Sequence, residues 1–417
     1  MSPSPERLGA VYAQRDGENA GKPRDVMSGN GYPERHIREI SDRVSEAQVT
    51  AVEAAEEALE AIRRIDPEIR AFRSVWAEEA LQRASRVDEA VGRGGRLPMA
   101  GVPFAVKGTE RIDSVQVRRL VAAGAVPVGA TSVPGPGTEW KTWGMTDRGR
   151  TVNPWRRDVT PGGSSAGAAA AVAAGMVPLA TASDGAGSTR IPAAWCGVVG
   201  YKPTTGLLAS RDRSGLAISG PIARSVAGIE LYRQVVLGAQ PQSAVTVGGA
   251  QLRVAWSATL EFNQVDPEVA RVAGQAVRAW SSRTGLSLED LDTALVLTDP
   301  AASWFAKRGG QEGDTTREDD ARNRTLLNEL FDSVDLLITP TTPNLAHGPD
   351  GPGKAMSVGV TWLFNLTGHP ALSLPAGFSD DGRPVGVQLV APHRHDDLLL
   401  AAAADFENFV PWMYLTL

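Results

Sequence analysis

Residues 161–192 read PGGSSAGAAAAVAAGMVPLATASDGAGSTRIP, and this stretch decides the fold class of the chain. The alanine-rich run GAAAAVAAG predicts a helix, and the short apolar run VPLATA after it predicts a buried strand. Glycine-rich turns flank this pair, with Ser164 in the turn before the helix and Ser188 in the turn after the strand. The stretch therefore predicts a helix–strand unit that places two hydroxyl groups in turns.

The alternation of apolar strands and helices continues on both sides of this stretch. Upstream, GVPFAVKG and AVPVG are short apolar runs bounded by glycine, and the helical pattern SVQVRRLVAAG separates them. Downstream, further apolar runs predict strands, namely GVVG, VDLLITP, HPALSLPAG and PVGVQLVAP. Strands that are apolar throughout are buried on both faces of a sheet. The sequence therefore predicts an α/β fold, a mixed β-sheet core covered by helices on both faces.

Composition predicts how the chain is divided. Residues 1–36 are polar and rich in glycine and proline, which predicts a flexible N-terminal arm. We expect residues 37–417 to form a single domain, because the C-terminal strands complete the same sheet. Within it, residues 259–330 are charged and mostly helical, which predicts a short helical cap subdomain.

Two helices are predicted before the first strands of the sheet. The first spans residues 42–64, with Ser45 and Gln48 as its capping box and Asp66-Pro67 as its stop signal. The second spans residues 76–91. Both carry apolar residues at helical spacing, so each is expected to pack one face on the core.

Bulk composition excludes several classes of partner. The chain has 417 residues, a net charge of −6 and a hydrophobic content of 42%, so no basic field attracts nucleic acid or an anionic membrane. No run of apolar residues is long enough to span a membrane, and no signal peptide is expected. Cys196 is the single cysteine, which excludes a disulfide within the chain and favours a reducing, cytoplasmic location.

A lysine at the end of an apolar run is the best candidate for a base. A serine hydroxyl is a poor nucleophile unless a neighbouring group takes its proton. Lys107 ends the predicted strand GVPFAVK, and burial there favours the neutral amine, which can act as a general base. Ser164 can then relay a proton between Lys107 and Ser188. Two serines and a lysine indicate acyl transfer on an amide or ester.

The turn before Ser188 is suited to stabilising negative charge. Gly185, Ala186 and Gly187 are consecutive small residues, and a tight turn of such residues can direct several backbone N–H groups at one point. Such a nest would stabilise the oxyanion of a tetrahedral intermediate.

These segments resemble the amidase signature family. The family pattern GGSS[GA]G corresponds to residues 162–167, its D-x-G-G-S-x-R-x-P turn corresponds to residues 184–192, and GVPFAVK matches its lysine strand. The likeness continues through TVNPW, CGVVGYKPT, GPIARSVA, DLLITPTTP, NLTGHPALSLPAG and PVGVQLVAP, so it covers most of residues 40–407. The resemblance implies the amidase signature fold and an amide hydrolase that uses neither a metal nor an organic cofactor.

The resemblance also implies roles for individual residues. Lys107 would be the base, Ser164 a relay that follows a cis peptide bond, and Ser188 the acylated nucleophile. The amides of residues 185–188 would form the oxyanion hole. Asp184 and Arg190 would hold the turn in place. Ser165 is expected in the same supporting layer.

Three departures from the family pattern bear on activity. Ala186 replaces a glycine, and alanine would be strained there if the position needs a positive φ. Only residues 108–116 join Lys107 to the helix VRRL, which is shorter than usual and should open or reshape the substrate pocket. Gly108 stands where the family usually has aspartate.

Several functions stay open at this point. The favoured one is hydrolysis of a small-molecule carboxamide. An acyltransferase or amidotransferase, including a role like that of a glutamine amidotransferase subunit, and a natural-product-tailoring amidase with a bulky substrate are alternatives. A catalytically inactive binding protein is favoured least. Ser165 also matches G-x-S-x-G, but the residues before it are not an apolar strand, so an α/β-hydrolase is not favoured. A homodimer is left open.

Overall fold

The described part of the chain is built around strands that form one large sheet and two small ones. The computed structural model describes residues 26–28, 37–135, 141–210, 212–239, 252–291, 295–410 and 413–415. Its strands, in chain order, are β1 (Val26–Ser28), β2 (Phe72–Val75), β3 (Pro103–Lys107), β4 (Val126–Thr131), β5 (Met145–Thr146), β6 (Gly149–Arg150), β7 (Leu179–Asp184), β8 (Val199–Lys202), β9 (Ile218–Ala223), β10 (Arg253–Trp256), β11 (Ser287–Asp290), β12 (Leu336–Pro340), β13 (Ala371–Phe378), β14 (Pro384–Val390) and β15 (Met413–Leu415).

The large sheet has eleven strands in the order β11-β10-β12-β14-β13-β8-β9-β7-β3-β4-β2. Strand β3 is parallel to both of its neighbours, β4 and β7, and β10 is parallel to β11 and β12. The other neighbours are antiparallel. The mixed sheet predicted from the apolar runs is therefore confirmed.

Helices lie on both faces of this sheet. In chain order they are α1 (Ile37–Ser45), α2 (Ala51–Ile69), α3 (Ala77–Gly92), α4 (Val115–Ala122), α5 (Ala166–Ala173), α6 (Arg190–Cys196), α7 (Val226–Tyr232), α8 (Pro267–Thr284), α9 (Ala301–Gly309), α10 (Asp314–Ser333), α11 (Leu363–Leu366) and α12 (Asp396–Phe409), and a π-helical turn at Arg233–Leu237 follows α7. None of these helices is both long and apolar enough to cross a membrane.

Strand β3 shows how the two faces are filled. Successive side chains of a strand point to opposite faces. Phe104 and Val106 belong to one buried cluster, which includes Trp280 of α8. Ala105 between them belongs to a second cluster, which includes Ile62 of α2. Lys107, at the end of this strand, is thus carried by an element with an apolar layer on each side.

The first predicted helix is in fact two helices, and its predicted caps are wrong. Ala47, with φ of +55°, turns the chain between α1 and α2. The capping box is formed by Thr50 and Glu53, since Thr50 Oγ1 accepts from Glu53 N at 3.0 Å and Glu53 Oε2 accepts from Thr50 N at 2.7 Å. Pro67 lies within the last turn of α2, which ends at Ile69.

The segment 259–330, expected to be a helical cap, contributes to the sheet as well. It contains α8, α9 and most of α10, but it also supplies β11, which pairs with β10 at the sheet edge. Leu288 of β11 packs against the main apolar cluster, which explains why this short run joins the sheet. Helix α8 packs on β12, β13 and β14.

The expected N-terminal arm falls largely outside the described residues, which omit 1–25 and 29–36. Residues Val26–Ser28 form β1, which pairs antiparallel with β15.

Candidate active site

Lys107 is buried and bonded to two serines. Its side chain is 2% exposed at the end of β3. Its Nζ donates to Ser164 Oγ at 3.0 Å, to Ser183 Oγ at 2.8 Å and to the Ser183 carbonyl at 3.2 Å. These three acceptors match the three protons of an ammonium group, and either hydroxyl can instead donate to the neutral amine. The lysine therefore has partners in both protonation states.

The surroundings of Lys107 shift its titration toward the neutral form. Burial lowers the pKa of Lys107 to about 8, although the carboxylates of Asp184 and Glu110 favour the ammonium and oppose this shift. A lysine with a pKa near 8 is partly neutral at physiological pH. It can accept a proton there and give it back, which an ordinary surface lysine does rarely.

Glu110 was not anticipated from the sequence. It follows Lys107 by one tight turn, in which the Glu110 N–H donates to the Lys107 carbonyl at 2.7 Å. Ser114 Oγ donates to Glu110 Oε1 at 2.6 Å, and burial raises the pKa of Glu110. The short connection between β3 and α4 thus holds a carboxyl group beside the buried lysine.

Ser164 lies in a turn where two segments of the chain pass close to each other. The Gly163–Ser164 peptide bond is cis, as the resemblance implies. A Cβ at Gly163 would lie 2.4 Å from the Lys141 carbonyl oxygen, so only glycine fits there. Ser165 precedes the first residue of α5 as its N-cap, and its buried hydroxyl bonds no described residue. The Ser165 N–H donates to the Ser188 carbonyl at 3.3 Å and joins the two serine turns.

Asp184 organises the turn that leads to Ser188. Its carboxylate accepts from the Gly187 N–H at 2.7 Å and from the N–H groups of Thr189 and Arg190 at 3.2 and 3.3 Å. Arg190 Nε and Nη2 donate to its two oxygens at 2.9 and 2.8 Å, and both side chains are fully buried. Burial opposes the charged form of Asp184, but Arg190 and Asn365 hold its pKa well below the usual range.

Arg190 links this turn to the C-terminal part of the sheet. Its guanidinium also donates to the Thr361 carbonyl at 3.0 Å, to Gln388 Oε1 at 2.6 Å and to Asn365 Oδ1 at 2.7 Å. Asn365 Nδ2 donates to the Asp184 carbonyl at 2.8 Å. Sequence reasoning missed Asn365 and Gln388. The available signal was a polar residue within the apolar runs NLTGHPALSLPAG and PVGVQLVAP.

The backbone of the turn bears on two expectations about Ala186 and Gly187. Among the described residues with positive φ, Ala186 is not included, so the strain expected from its methyl group is absent. The positive φ, +122°, occurs at Gly187, where a Cβ would lie 2.3 Å from Thr361 Oγ1. The Gly187 N–H donates to Asp184 Oδ1 at 2.7 Å, and its expected role as an oxyanion donor stays a prediction. The N–H groups of Gly185, Ala186 and Ser188 bond no described residue.

Ser188 itself is half-buried. Within the described ranges its hydroxyl makes no hydrogen bond, so the structure joins Lys107 to Ser164 but does not join Ser164 to Ser188. Ser183, which bonds Lys107, was also missed from the sequence. It is the last residue before Asp184 in the predicted strand VPLATA and its continuation.

A second buried lysine lies near Asp184. Burial lowers the pKa of Lys202 to about 7, and the charge of Arg190 acts in the same direction. Its Nζ donates to the Pro203 carbonyl at 2.9 Å rather than to a serine. Geometry therefore favours Lys107 as the lysine that serves a hydroxyl. Over the part of the chain that the structure describes, no three His, Cys, Asp or Glu residues are grouped to hold a metal ion.

Comparisons with known proteins find relatives along most of this chain. A sequence model of the family described as Amidase matches residues 108–297 and 310–400. An acylamidase of Rhodococcus erythropolis is 31% identical over 457 aligned positions, covering 90% of this chain and 95% of that protein. A glutamyl-tRNA(Gln) amidotransferase subunit of a Cyanothece species is 28% identical, covering 90% of this chain and 98% of that one.

The fold is found in solved structures as well. The crystal structure of a bacterial aryl acylamidase from the amidase signature enzymes superposes with a TM-score of 0.79 at 24% identity. The match covers 91% of this chain and 96% of that one. It supports the fold, a mixed sheet between two layers of helices.

Proposed function

Because this chain belongs to the amidase signature family, we propose that it hydrolyses a small-molecule carboxamide through an acyl-enzyme on Ser188, with Lys107 as the base and Ser164 as the relay. Amide hydrolysis follows from the family, whereas the residue roles are our proposal. The observation that carries it is the 3.0 Å hydrogen bond between the buried Lys107 Nζ and Ser164 Oγ. A buried amine bonded to a hydroxyl can draw a proton through that hydroxyl.

In the proposed reaction neutral Lys107 takes the proton of Ser164 while Ser164 takes that of Ser188. The Ser188 Oγ attacks the amide carbon, and the carbonyl electron pair moves onto oxygen. When the tetrahedral intermediate collapses, the C–N bond breaks and the proton returns from Lys107 through Ser164 to the leaving amine. Water then attacks the acyl ester by the same proton route, which releases a carboxylic acid and restores Ser188.

Two supporting groups make these steps feasible. The N–H groups of Gly185, Ala186 and Ser188 are the proposed oxyanion donors, because the N–H of Gly187 is bonded to Asp184. The buried Asp184–Arg190 pair fixes the turn that carries them. The proposal requires the Ser188 hydroxyl to rotate toward Ser164, and catalytic contacts often tighten only with substrate present.

A labelling experiment tests the residue roles. The protein is treated with a fluorophosphonate, and labelled peptides are identified by mass spectrometry. We expect an adduct on Ser188 that is lost in Lys107→Ala. The control is Lys354→Ala, which removes an exposed lysine and should keep the label. Absence of an adduct from folded wild-type protein would contradict the mechanism and favour a catalytically inactive binding protein.

The alternative function is transfer of the acyl group or of ammonia. The similarity to one subunit of an amidotransferase, over nearly the whole length of that protein, favours this alternative. Acyl transfer keeps the same acyl-enzyme and replaces water with another nucleophile, for which a bulky natural product is one candidate. Ammonia transfer also keeps the acyl-enzyme, but water still hydrolyses it and the ammonia released in the first step is the group that is passed on. Hydroxylamine competes with water for an acyl-enzyme, so the ratio of hydroxamate to acid measures how readily the acyl group is transferred to a nucleophile other than water. If this ratio rises in proportion to the hydroxylamine concentration while total turnover stays constant, formation of the acyl-enzyme is the slow step and deacylation follows it.

We also propose a cytoplasmic location, which the single cysteine supports. Burial raises the pKa of the Cys196 thiol, and its Sγ donates to the Pro161 carbonyl, both of which favour an inert side chain. Fractionation of cells that produce the protein tests the location. Sedimentation of the purified chain tests whether it forms a homodimer.

A further inference from the structure

Three aromatic side chains pack together beside the turn that leads to Ser188. We call Trp304, Phe305 and Trp362 the aromatic cluster. The rings of Trp304 and Phe305 meet edge to face, with centroids 5.3 Å apart and planes at 85°. Phe305 and Trp362 also meet edge to face, at 6.2 Å and 82°, and Trp304 and Trp362 are tilted at 6.3 Å. The cluster joins α9 to the start of α11.

Hydrogen bonds tie this cluster to the backbone of the turn. Trp304 Nε1 donates to the Gly185 carbonyl at 2.7 Å. Thr361, which precedes Trp362, donates its hydroxyl to the Ala186 carbonyl at 2.5 Å. The cluster is therefore fixed against the residues that precede the proposed nucleophile. Gly185, Ala186 and Ser188 are only half-buried, so part of the turn is accessible to a ligand.

The members of the cluster differ in exposure. Trp362 is 3% exposed, Trp304 is half-buried, and Phe305 is 57% exposed. Of the large apolar side chains that are exposed in the described ranges, Phe305 is the aromatic one. A single exposed apolar residue needs no explanation. This ring is different because it packs against two buried or half-buried aromatic rings, one of which bonds the turn before Ser188.

The charges near the cluster are engaged by other protein groups. Lys307 and Arg308 follow Phe305 on α9. Lys307 forms an ion pair with Glu312 at 3.9 Å, and Arg308 forms one with Asp212 at 3.1 Å. Both cations are thus matched by carboxylates of the chain. The surface beside the cluster favours an uncharged ligand over an anionic one.

We propose that the aromatic cluster is the subsite that binds an uncharged aromatic group of the amide substrate, with Phe305 in direct contact. This inference rests on the proposed function. Aromatic rings prefer offset or edge-to-face partners, and the exposed ring of Phe305 can add such a partner to the two it has. Trp304 and Trp362 act by holding Phe305 in place. The ring belongs to either the acyl part or the leaving amine.

Kinetics with matched amides test this subsite. Benzamide carries a ring on the acyl side, acetanilide carries one on the amine side, and propionamide carries none. In Phe305→Ala we expect the ratio of kcat/KM for the ring-bearing amide to that for propionamide to fall about fivefold, the factor that one aromatic contact contributes. Phe305→Leu keeps an apolar side chain and should not restore the ratio, whereas Phe305→Tyr should. The ring-bearing amide that is affected identifies the side.

The control variant is Val75→Ala, which removes an exposed apolar side chain on the edge strand β2 and should leave the ratio unchanged. An equal ratio in wild type and Phe305→Ala would overturn the subsite. Because Ser188 labelling by a fluorophosphonate does not depend on Phe305, failure of the subsite with normal labelling is distinct from failure of the proposed function.

A binding measurement covers the case in which none of these amides is turned over. Saturation-transfer NMR on Ser188→Ala compares benzamide and acetanilide with propionamide. We expect signal from a ring-bearing amide, and we expect that signal to decrease when Phe305→Ala is added. A signal that is unchanged by Phe305→Ala, or absent for both ring-bearing amides, would refute the subsite.

Discussion

Replacing Glu110 with glutamine should shift the pH dependence of catalysis, because Glu110 is one of the two carboxyl groups that face Lys107. The other is Asp184. Glu110 in turn faces Lys107 and the phenol of Tyr232. Removing a negative charge beside a lysine disfavours the ammonium form. The pKa of Lys107 is therefore expected to fall in Glu110→Gln.

The size of the effect follows from the protonation of Lys107. With a pKa of about 8, about one tenth of the lysine is neutral at pH 7, and kcat/KM should rise with pH until it levels off above pH 8. Loss of a nearby opposite charge commonly moves a pKa by about one unit or more, which would bring Lys107 toward 7. About half of the lysine would then be neutral at pH 7, so kcat/KM at pH 7 should rise about fivefold.

The assay is the pH profile of kcat/KM for one amide substrate from pH 6 to 10. Asp113→Asn is the matched control, because Asp113 is a carboxylate on the same connection that is exposed and bonded to Arg111. Its profile should coincide with that of wild type. Glutamine imitates a protonated glutamate, so an unchanged profile in Glu110→Gln would show that Glu110 is already neutral. That result would refute its role as a counter-charge.

Three further predictions concern the turn before Ser188. Arg190→Met should destabilise the protein by about 3–5 kcal/mol at neutral pH, measured from urea midpoints, because it leaves the buried Asp184 carboxylate unpaired. The pKa of Asp184 is held below its value in the unfolded chain, so the pair contributes stability above that unfolded pKa and loses it as the pH falls. The difference in free energy of unfolding between the variant and wild type should therefore narrow in acid, and a pH-independent difference would contradict this. Gly187→Ala should abolish Ser188 labelling in folded protein, because its Cβ would lie 2.3 Å from Thr361 Oγ1, and retained labelling would argue against a fixed turn. Ser183→Ala should lower kcat more than it raises KM, because the buried lysine loses its 2.8 Å contact; a change in KM alone would count against that positioning role.

The fold could be predicted because its strands are buried on both faces. Runs such as GVPFAVKG and PVGVQLVAP are almost entirely apolar, and this pattern has few interpretations besides the central strands of an α/β sheet. The first helices were harder, because the break between α1 and α2 depends on one residue, Ala47, in a left-handed conformation. Alanine has no strong preference that would mark such a turn. Helix propensity therefore suggested one continuous helix.

The chemistry of the site could be predicted only where it is local in sequence. Ser164 and Ser188 occupy glycine turns, and Lys107 ends an apolar strand, so each has its signal in its neighbours. Asn365 and Gln388 act on Arg190 from the other end of the chain, and their contacts arise only when β13 and β14 join the sheet. A single sequence contains no record of such long-range pairs.

The difference between local signals and long-range contacts also explains why substrate specificity is the least predictable property of this site. The proposed reacting groups lie on strand ends and helix starts, which the sheet fixes in place. The local sequence around each of them is therefore enough to identify them. The groups that would contact the rest of the substrate come from α9, which the sequence suggested only as part of a helical cap, and from the loop before α11, for which the sequence suggested no role. Trp304 and Trp362 are ordinary aromatic residues in those segments. What distinguishes them is their position, which two hydrogen bonds fix: those of Trp304 and Thr361 to the carbonyls of the turn before Ser188. If the aromatic cluster binds substrate as proposed, substrate choice depends on which segments reach that turn. Changing Phe305, which bonds none of the turn, should then alter selectivity while Ser188 labelling is retained.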